Sequence, residues 1–344
     1  MSRGHILLIS TNIFPLPPSG YAGLEILVYH LAIGLQNKGW RVSVVAPKES
    51  RLPEGIELIS TETREPEEQS YHRYKARLEN QEFDCIADHS WEKWSYISSI
   101  GHEPELPIVS TIHSSPIIYN SIPRVKYRRF IGLSDQHCND IELHLKSDAR
   151  RVYNGIDLNF YNINTEIKRN SRWVNLARYT PEKGFLPAIN MCMRNGIQLD
   201  VVGDKEIIGD TIYPRLCEQA ADGVVVRCIG SVSREDTVKF YQGYKGLLFP
   251  LQWSEPFGLV TVEASACGMG VLTLSRGAMK ELVKDGVNGY VLPNENELEK
   301  AILDERIRNI DPIKAREWSS QFSLENFIDN YDKIYLEASN GIGW

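Results

Sequence analysis

The sequence predicts an α/β fold of two Rossmann-like doubly wound domains in tandem, on three observations. Short apolar runs alternate with amphipathic stretches through both halves, which implies parallel strands joined by covering helices. A length of 344 residues suits two domains of ordinary size. A polar stretch without periodicity, Asn159 to Arg172, follows the turn Tyr153-Asn154-Gly155-Ile156-Asp157 and reads as a linker. The expected division is residues 1–160, residues 161–321 and a terminal helical segment 322–344. Doubly wound sheets bind ligands beyond the carboxyl ends of their strands, so two facing sheets predict an interdomain cleft.

In the first half, His5–Ile9 reads as a strand and Thr11 to Gly23 as a loop punctuated by proline and glycine. Leu24, Leu27, Val28, Leu31 and Leu35 then mark the apolar face of a helix at offsets of three and four. Arg41–Ala46 is the next strand, followed by 56–59, 83–87, 107–112, 129–133 and 151–153. The Glu-, Arg- and Gln-rich residues 60–82 read as a solvated helix or loop without a chemical role. The second half repeats the alternation, with strands at 173–178, 199–203, 224–230, 246–250, 270–274 and 290–292. Helices are expected at 184–194, 211–221, 234–241, 295–308 and 322–338, plus one opening near Pro256. The stripe 324, 327, 328, 331, 334 and 335 on the last of these suits a helix that returns to cover the first domain.

Composition removes several function classes. With 38 basic and 45 acidic residues the net charge is −7, which argues against nucleic acid as a partner. The apolar run at 5–9 is too short for a signal-peptide core. No stretch approaches the ~20 apolar residues of a membrane span. The six cysteines have no close pairing, which suits reduced thiols, a cytoplasmic location and no zinc site.

The most informative stretch is 250–275, PLQWSEPFGLVTVEASACGMGVLTLS. Pro256 suits the first position of a helix and Ser254 is placed to cap it, with Gly258 in the first turn. Backbone N–H groups there, at Gly258, Leu259 and Val260, make an anion site carrying roughly half a positive charge. Glu255 stands just outside it and Glu263 follows within the helix. Two carboxylates flanking a phosphate cradle suit a ligand with hydroxyl groups on both sides of its phosphates, as in a nucleotide sugar. In ARYTPEKG, Arg178 and Lys183 set two cations around one turn at a strand's carboxyl end. They are placed to stabilise negative charge on a departing diphosphate.

The phrase Glu255-Pro256-Phe257-Gly258-Leu259, continuing to Glu263-Ala264 and Cys267-Gly268, resembles the donor-site signature of retaining GT-B-type glycosyltransferases, an E-x7-E pattern. The family's Gly-Arg-x(4)-Lys-Gly pattern is met at Arg178, Lys183 and Gly184, with Ala177 where glycine is usual. The resemblance implies a hexosyl transfer, retaining the anomeric configuration, from a nucleoside diphosphate sugar (UDP- or GDP-linked) to a carbohydrate, lipid-linked or small-molecule acceptor. It assigns Glu263 to the ribose hydroxyls, Glu255 to the sugar hydroxyls, and Arg178 and Lys183 to the phosphates. It also assigns the backbone around Pro256, Phe257, Gly258, Leu259 and Val260 to the donor, and that of Gly230, Ser231 and Val232 to the base. The family's first loop is met by 18–25, where Ala22 replaces the first of two glycines, leaving Gly23 as the donor contact. His113 resembles the family's histidine at this strand end, followed here by Ser114-Ser115 where Asp is frequent. The catalytic set implied is His113, Arg178, Lys183 and Glu255.

No Asp-x-Asp triplet occurs, so a metal-bridged donor is not expected; neither metal nor cofactor is assigned. The basic cluster Arg124, Lys126, Arg128 and Arg129 is either a solvated surface or a site for an anionic acceptor or lipid head groups, leaving peripheral membrane contact open. Two rival functions fit the same frame: a nucleotide-sugar epimerase, and a donor-binding subunit without catalysis. The epimerase needs acids and bases on both faces of the sugar, yet all eight histidines precede residue 145. The silent subunit has no need of the charged donor residues.

Overall fold

A computed structural model describes residues 3–20, 22–100, 106–119, 122, 128–164, 166–205 and 212–344. The chain divides into two units, Met1–Gly155 with Leu324–Trp344, and Ile156–Ser323.

The first unit is built from β1 (His5–Ile9), α1 (Gly23–Asn37), β2 (Arg41–Pro47), β3 (Ile56–Thr61), α2 (Glu67–Glu79), β4 (Cys85–Asp88), β5 (Ile108–Thr111), β6 (Arg129–Gly132), α3 (Asp135–Leu145) and β7 (Ala149–Arg151). Its strands pair in parallel in the order β3-β2-β1-β4-β5-β6-β7. Ile6 stands opposite both Val42 and Cys85, which fixes the register at the centre. Helices cover such a sheet on both faces, so the inner strands are apolar runs rather than alternating ones. Leu7, Ile9, Ile86, Ile108 and Phe130 accordingly join Tyr71, Tyr74 and Leu78 of α2 in one core.

The second unit runs β8 (Trp173–Leu176), α4 (Phe185–Asn195), β9 (Leu199–Val202), α5 (Ile212–Ala220), β10 (Val226–Ile229), α6 (Arg234–Gly243), β11 (Gly246–Phe249), α7 (Leu259–Ala266), β12 (Val271–Leu274), α8 (Met279–Leu282), β13 (Gly289–Leu292), α9 (Glu295–Leu303) and α10 (Pro312–Ser319). Its parallel order is β10-β9-β8-β11-β12-β13. The chain winds outward from β8 to β10 and then returns to β11 beside β8. That reversal is the switch point at which doubly wound sheets place ligands.

The last helix, α11 (Leu324–Ser339), belongs to the first unit. Trp40 Nε1 donates to Asp332 Oδ1 at 2.8 Å, and Tyr331 hydroxyl meets Thr111 Oγ1 at 2.8 Å. The unit boundaries thus fall at 155/156 and 323/324, where the sequence places them at 160/161 and 321/322.

Several elements differ from expectation. The helix assigned to Pro256 begins at Leu259; its N-cap is Gly258 at φ 99°, and no side chain caps it. Pro256 and Ser254 lie in the preceding loop, because the left-handed turn at Gly258 comes between them and the helix. The expected 295–308 helix stops at Leu303, and a 3-10 turn follows at Arg306–Asn309. The strand expected at 151–153 is Ala149–Arg151. Helices α3, α8 and α10 were not expected: α8 has only four residues, and α10 opens from an Asp311 cap onto Pro312. Of the basic cluster, Arg124 and Lys126 lie outside the described residues, as does Thr211 of the expected 211–221 helix. Arg128 donates to the carbonyls of Leu145 and Ile122, and the buried Arg129 to that of Ile342. Those two guanidiniums serve the backbone of their own unit. Among the described residues no helix is long and apolar enough to cross a membrane.

Candidate active site

The geometry is richest in the second unit, at the carboxyl ends of the neighbouring strands β8 and β11. After β8 the chain passes Arg178, makes a 3-10 turn at Pro181–Lys183 and turns again at Gly184, φ 73°. A Cβ at Gly184 would stand 1.9 Å from the carbonyl oxygen of Pro250, so only glycine lets this loop lie against the end of β11. That approach brings Lys183 to Glu255: Nζ stands 2.5 Å from Oε2, and both side chains are largely buried. Trp253 Nε1 donates to the same Oε2 at 2.8 Å, and the Lys183 ammonium lies 5.0 Å from the Trp253 ring centre. One carboxylate oxygen is thus fixed by a cation and an indole.

The backbone of Glu255 is gripped separately. Ala278 N donates to Glu255 O at 2.9 Å, and a Cβ at Gly277 (φ 57°) would fall 2.2 Å from that oxygen. Three residues beyond Glu255 the chain enters α7 through Gly258, so the first N–H groups of the helix, at Leu259 and Val260, have no partner within it. Phe257 is buried and packs edge-on against Phe322. Arg178 is half-buried, and among the described residues no hydrogen bond or ion pair is found for its guanidinium.

Glu263 sits just over one turn into α7 and is 3% exposed. Tyr161 hydroxyl donates to its Oε1 at 2.8 Å and Tyr241 hydroxyl to its Oε2 at 2.9 Å. Gly230, Ser231 and Val232 follow the edge strand β10 and precede Ser233, which caps α6 by accepting from Asp236 N at 3.1 Å. The structure therefore brings Arg178, Lys183 and 255–260 onto two adjoining loops, with Glu263 on the helix below. The 230–232 segment leaves the same sheet with β9 intervening.

His113 and Gly23 belong to the first unit. Gly23 is the opening residue of α1, and the preceding Ala22 supplies no side-chain cap. His113 follows β5, with its Nε2 3.0 Å from His89 Nδ1, while His89 Nε2 meets Tyr335 hydroxyl at 3.2 Å. Burial, with nearby Lys93, pushes His89 down to about 3, and burial together with His89 holds His113 well below the usual histidine range. Both rings are therefore neutral at ordinary pH and act as hydrogen-bonding groups. Lys93 is fully buried at φ 59°, its ammonium donating to Asp88 O and Thr111 O, both at 2.9 Å. Nearby, Glu67 accepts from the backbone N–H of Trp91 and Glu92, and burial pushes its carboxyl up to about 7.

Sequence reasoning passed over Tyr161, Tyr241, Trp253, Gly277, His89, Lys93 and Glu67. Apart from Trp253, each depends on a partner brought close only by the fold, or lies on a stretch read as linker or solvated surface. One signal was present: Trp253 stands two residues before Glu255 in a loop, where a large aromatic needs a reason.

Comparison with known proteins bears on family and fold. Residues 163–309 match the family described as Glycosyl transferases group 1, and residues 21–160 match Glycosyltransferase Family 4. An uncharacterized glycosyltransferase of Methanocaldococcus jannaschii is 26% identical over 296 residues, covering 79% of this chain and 80% of that protein. Sucrose-phosphate synthase from Thermosynechococcus elongatus superposes with a TM-score of 0.76 at 18% identity, over 98% of this chain and 99% of that one. The Anabaena protein HepE, solved with UDP and glucose, gives 0.72 at 19% identity over 95% and 98%. At these identities the structural likeness is one of fold. Fold, site and family matches together define an enzyme, a glycosyltransferase with the two Rossmann-like domains of the GT-B type. Within that class residues 163–309 carry the group 1 match and residues 21–160 the Family 4 match.

Proposed function

We propose that the enzyme moves a hexosyl unit from a UDP- or GDP-linked sugar to a hydroxyl-bearing acceptor, with retention of configuration and without a metal ion. The acceptor is a carbohydrate, a lipid-linked sugar or a small molecule. The observation that carries this reading is the meeting of Lys183 and Glu255 where α7 begins, beside Arg178. Lys183, Arg178 and the N–H groups of Leu259 and Val260 take the diphosphate, supplying the positive charge a metal would otherwise provide. Glu255 holds hydroxyls of the sugar and Glu263 those of the ribose, each charged hydrogen bond contributing ~1.5–3 kcal/mol. The backbone of Gly230, Ser231 and Val232 reads the base. The UDP and glucose bound to HepE support a uridine donor within this reading.

The test is incubation with UDP-glucose and GDP-mannose, with and without EDTA, followed by NMR of the products. Release of nucleoside diphosphate in EDTA, with the donor's anomeric configuration kept in the glycoside or free sugar at first appearance, is expected. Loss of all turnover in EDTA would overturn metal independence, and an inverted product would overturn retention. Epimerised donor without release would overturn transfer itself.

A further inference from the structure

We infer that Tyr161 and Tyr241 are positioning residues that orient the Glu263 carboxylate to grip the ribose cis-diol, so that the donor site selects ribonucleotides over 2′-deoxyribonucleotides. This rests on the reading of Glu263 as the ribose ligand and adds to it the two residues that aim it.

The two hydroxyls divide the carboxylate between them, one on each oxygen, at 2.8 and 2.9 Å. Each tyrosine fixes one carboxylate oxygen in place, and a cis-diol presents a pair of hydroxyls that a carboxylate held in one orientation can accept together. Both tyrosines are buried, at 1% and 0% exposure, where a hydroxyl costs free energy unless it is bonded. Phenylalanine would fill either place as well and would remove the hydroxyl's bond to Glu263; at Tyr161 it would also remove a hydrogen bond with Arg234. Burial and the neighbouring Glu263 charge hold the Tyr161 phenol well above its usual range, so it remains a donor at every working pH.

The backbones behind the rings are registered to the same helix by two arginines. Arg316 Nη1 donates to Tyr161 O at 2.8 Å and to Ala266 O at 2.7 Å, while its Nη2 bonds Leu158 O. Arg169 Nη1 donates to Tyr241 O at 2.5 Å, and its Nη2 to Cys267 O at 2.9 Å. Each arginine thus ties one tyrosine to the carboxyl end of α7, the helix that carries Glu263. It also satisfies carbonyls that a helix end leaves unpaired. Neither ring can shift without breaking a bond that fixes it to Glu263's own helix.

The experiment is calorimetric titration of the full chain and its variants with UDP, 2′-deoxy-UDP and inorganic pyrophosphate, with GDP and 2′-deoxy-GDP in parallel. The unmodified protein is expected to bind the ribonucleotide at least about tenfold more tightly than its deoxy counterpart. Tyr161→Phe and Tyr241→Phe should each narrow that preference to about threefold, and the double variant should abolish it, with pyrophosphate affinity unchanged. Pyrophosphate also reports folding, and the single variants decide the matter where the double one does not fold. If Glu263→Gln loses the preference while both tyrosine variants keep it, the positioning role is overturned and the ribose reading stands. If Glu263→Gln keeps the preference, or the unmodified protein has none, the ribose reading falls and this inference with it. A parallel loss of pyrophosphate affinity in the tyrosine variants would overturn positioning in favour of a general structural role.

Discussion

Lys183 and Glu255, 72 residues apart in sequence, meet at 2.5 Å at the carboxyl ends of adjacent strands. Sequence reasoning gave the lysine to phosphate and the glutamate to sugar as separate ligands. Each is the other's counter-ion, so under the proposed function a diphosphate would compete with Glu255 for the ammonium.

Lys183 and Arg178 should therefore respond differently to removal. Lys183→Ala leaves Glu255 buried without its cation and is expected to cost about 3 kcal/mol of stability. Arg178→Ala breaks no such pair and should stay within about 0.5 kcal/mol. Both should lower kcat/KM for donor turnover at least about tenfold, equivalent to some 1.4 kcal/mol of transition-state stabilisation. Paired melting curves and steady-state kinetics check this, and unchanged kinetics in both variants would reject their phosphate role.

Gly184→Ala should act through the backbone. The residue sits at φ 73°, and an added Cβ would stand 1.9 Å from Pro250 O. The loop carrying Lys183 must then lift off β11, at a cost of ~2 kcal/mol or more. A lowered melting temperature together with weakened nucleotide binding is the expected result, and a variant with unchanged values for both would contradict the close packing.

Stability should depend on pH through Glu67 and His89 in opposite senses. Burial raises the Glu67 carboxyl from 4.5 to about 7, so between those values the folded chain keeps a proton that the unfolded chain releases. Its contribution is full below 4.5 and is lost as pH rises through about 7. His89 is lowered from 6.5 to about 3, so its contribution is full above 6.5 and is lost as pH falls towards 3. Glu67→Gln should accordingly gain on the unmodified protein by on the order of 2 kcal/mol between pH 5 and 8. Denaturant melts at both pH values measure it, and a constant difference would show that Glu67 titrates normally.

His113 should not shape the pH–rate profile near neutrality. Held well below the usual histidine range by burial and by His89, it stays uncharged near neutral pH. The profile of kcat/KM is expected to show no limb near 6.5 that His113→Gln removes. A limb there, absent in the variant, would mean the ring charges during turnover.

The succession of strands along the chain and the identity of the E-x7-E stretch were legible because apolar runs and glycine-proline punctuation are local properties of the chain, whereas the order of strands within each sheet was not. Gly246–Phe249 and Glu255 to Glu263 needed no distant partner to be noticed. The helix start at Leu259 was missed because proline and serine favour an opening that the left-handed Gly258 postpones. Tyr161 could not be found at all: it lies in a polar linker-like stretch, and its importance comes from Glu263, 102 residues away. The His89–His113 contact was hidden likewise, since it depends on β4 and β5 lying side by side. Residues that act alone on a ligand leave a pattern in sequence; residues that aim other residues do so only through the fold.

A crystal structure of the chain with UDP or GDP bound is the most direct measurement. The diphosphate should lie against Arg178, Lys183 and the N–H groups of Leu259 and Val260, with the ribose hydroxyls on Glu263. A nucleotide held with its phosphates away from those groups, and Lys183 still paired with Glu255, would contradict the assignment of this site to the donor.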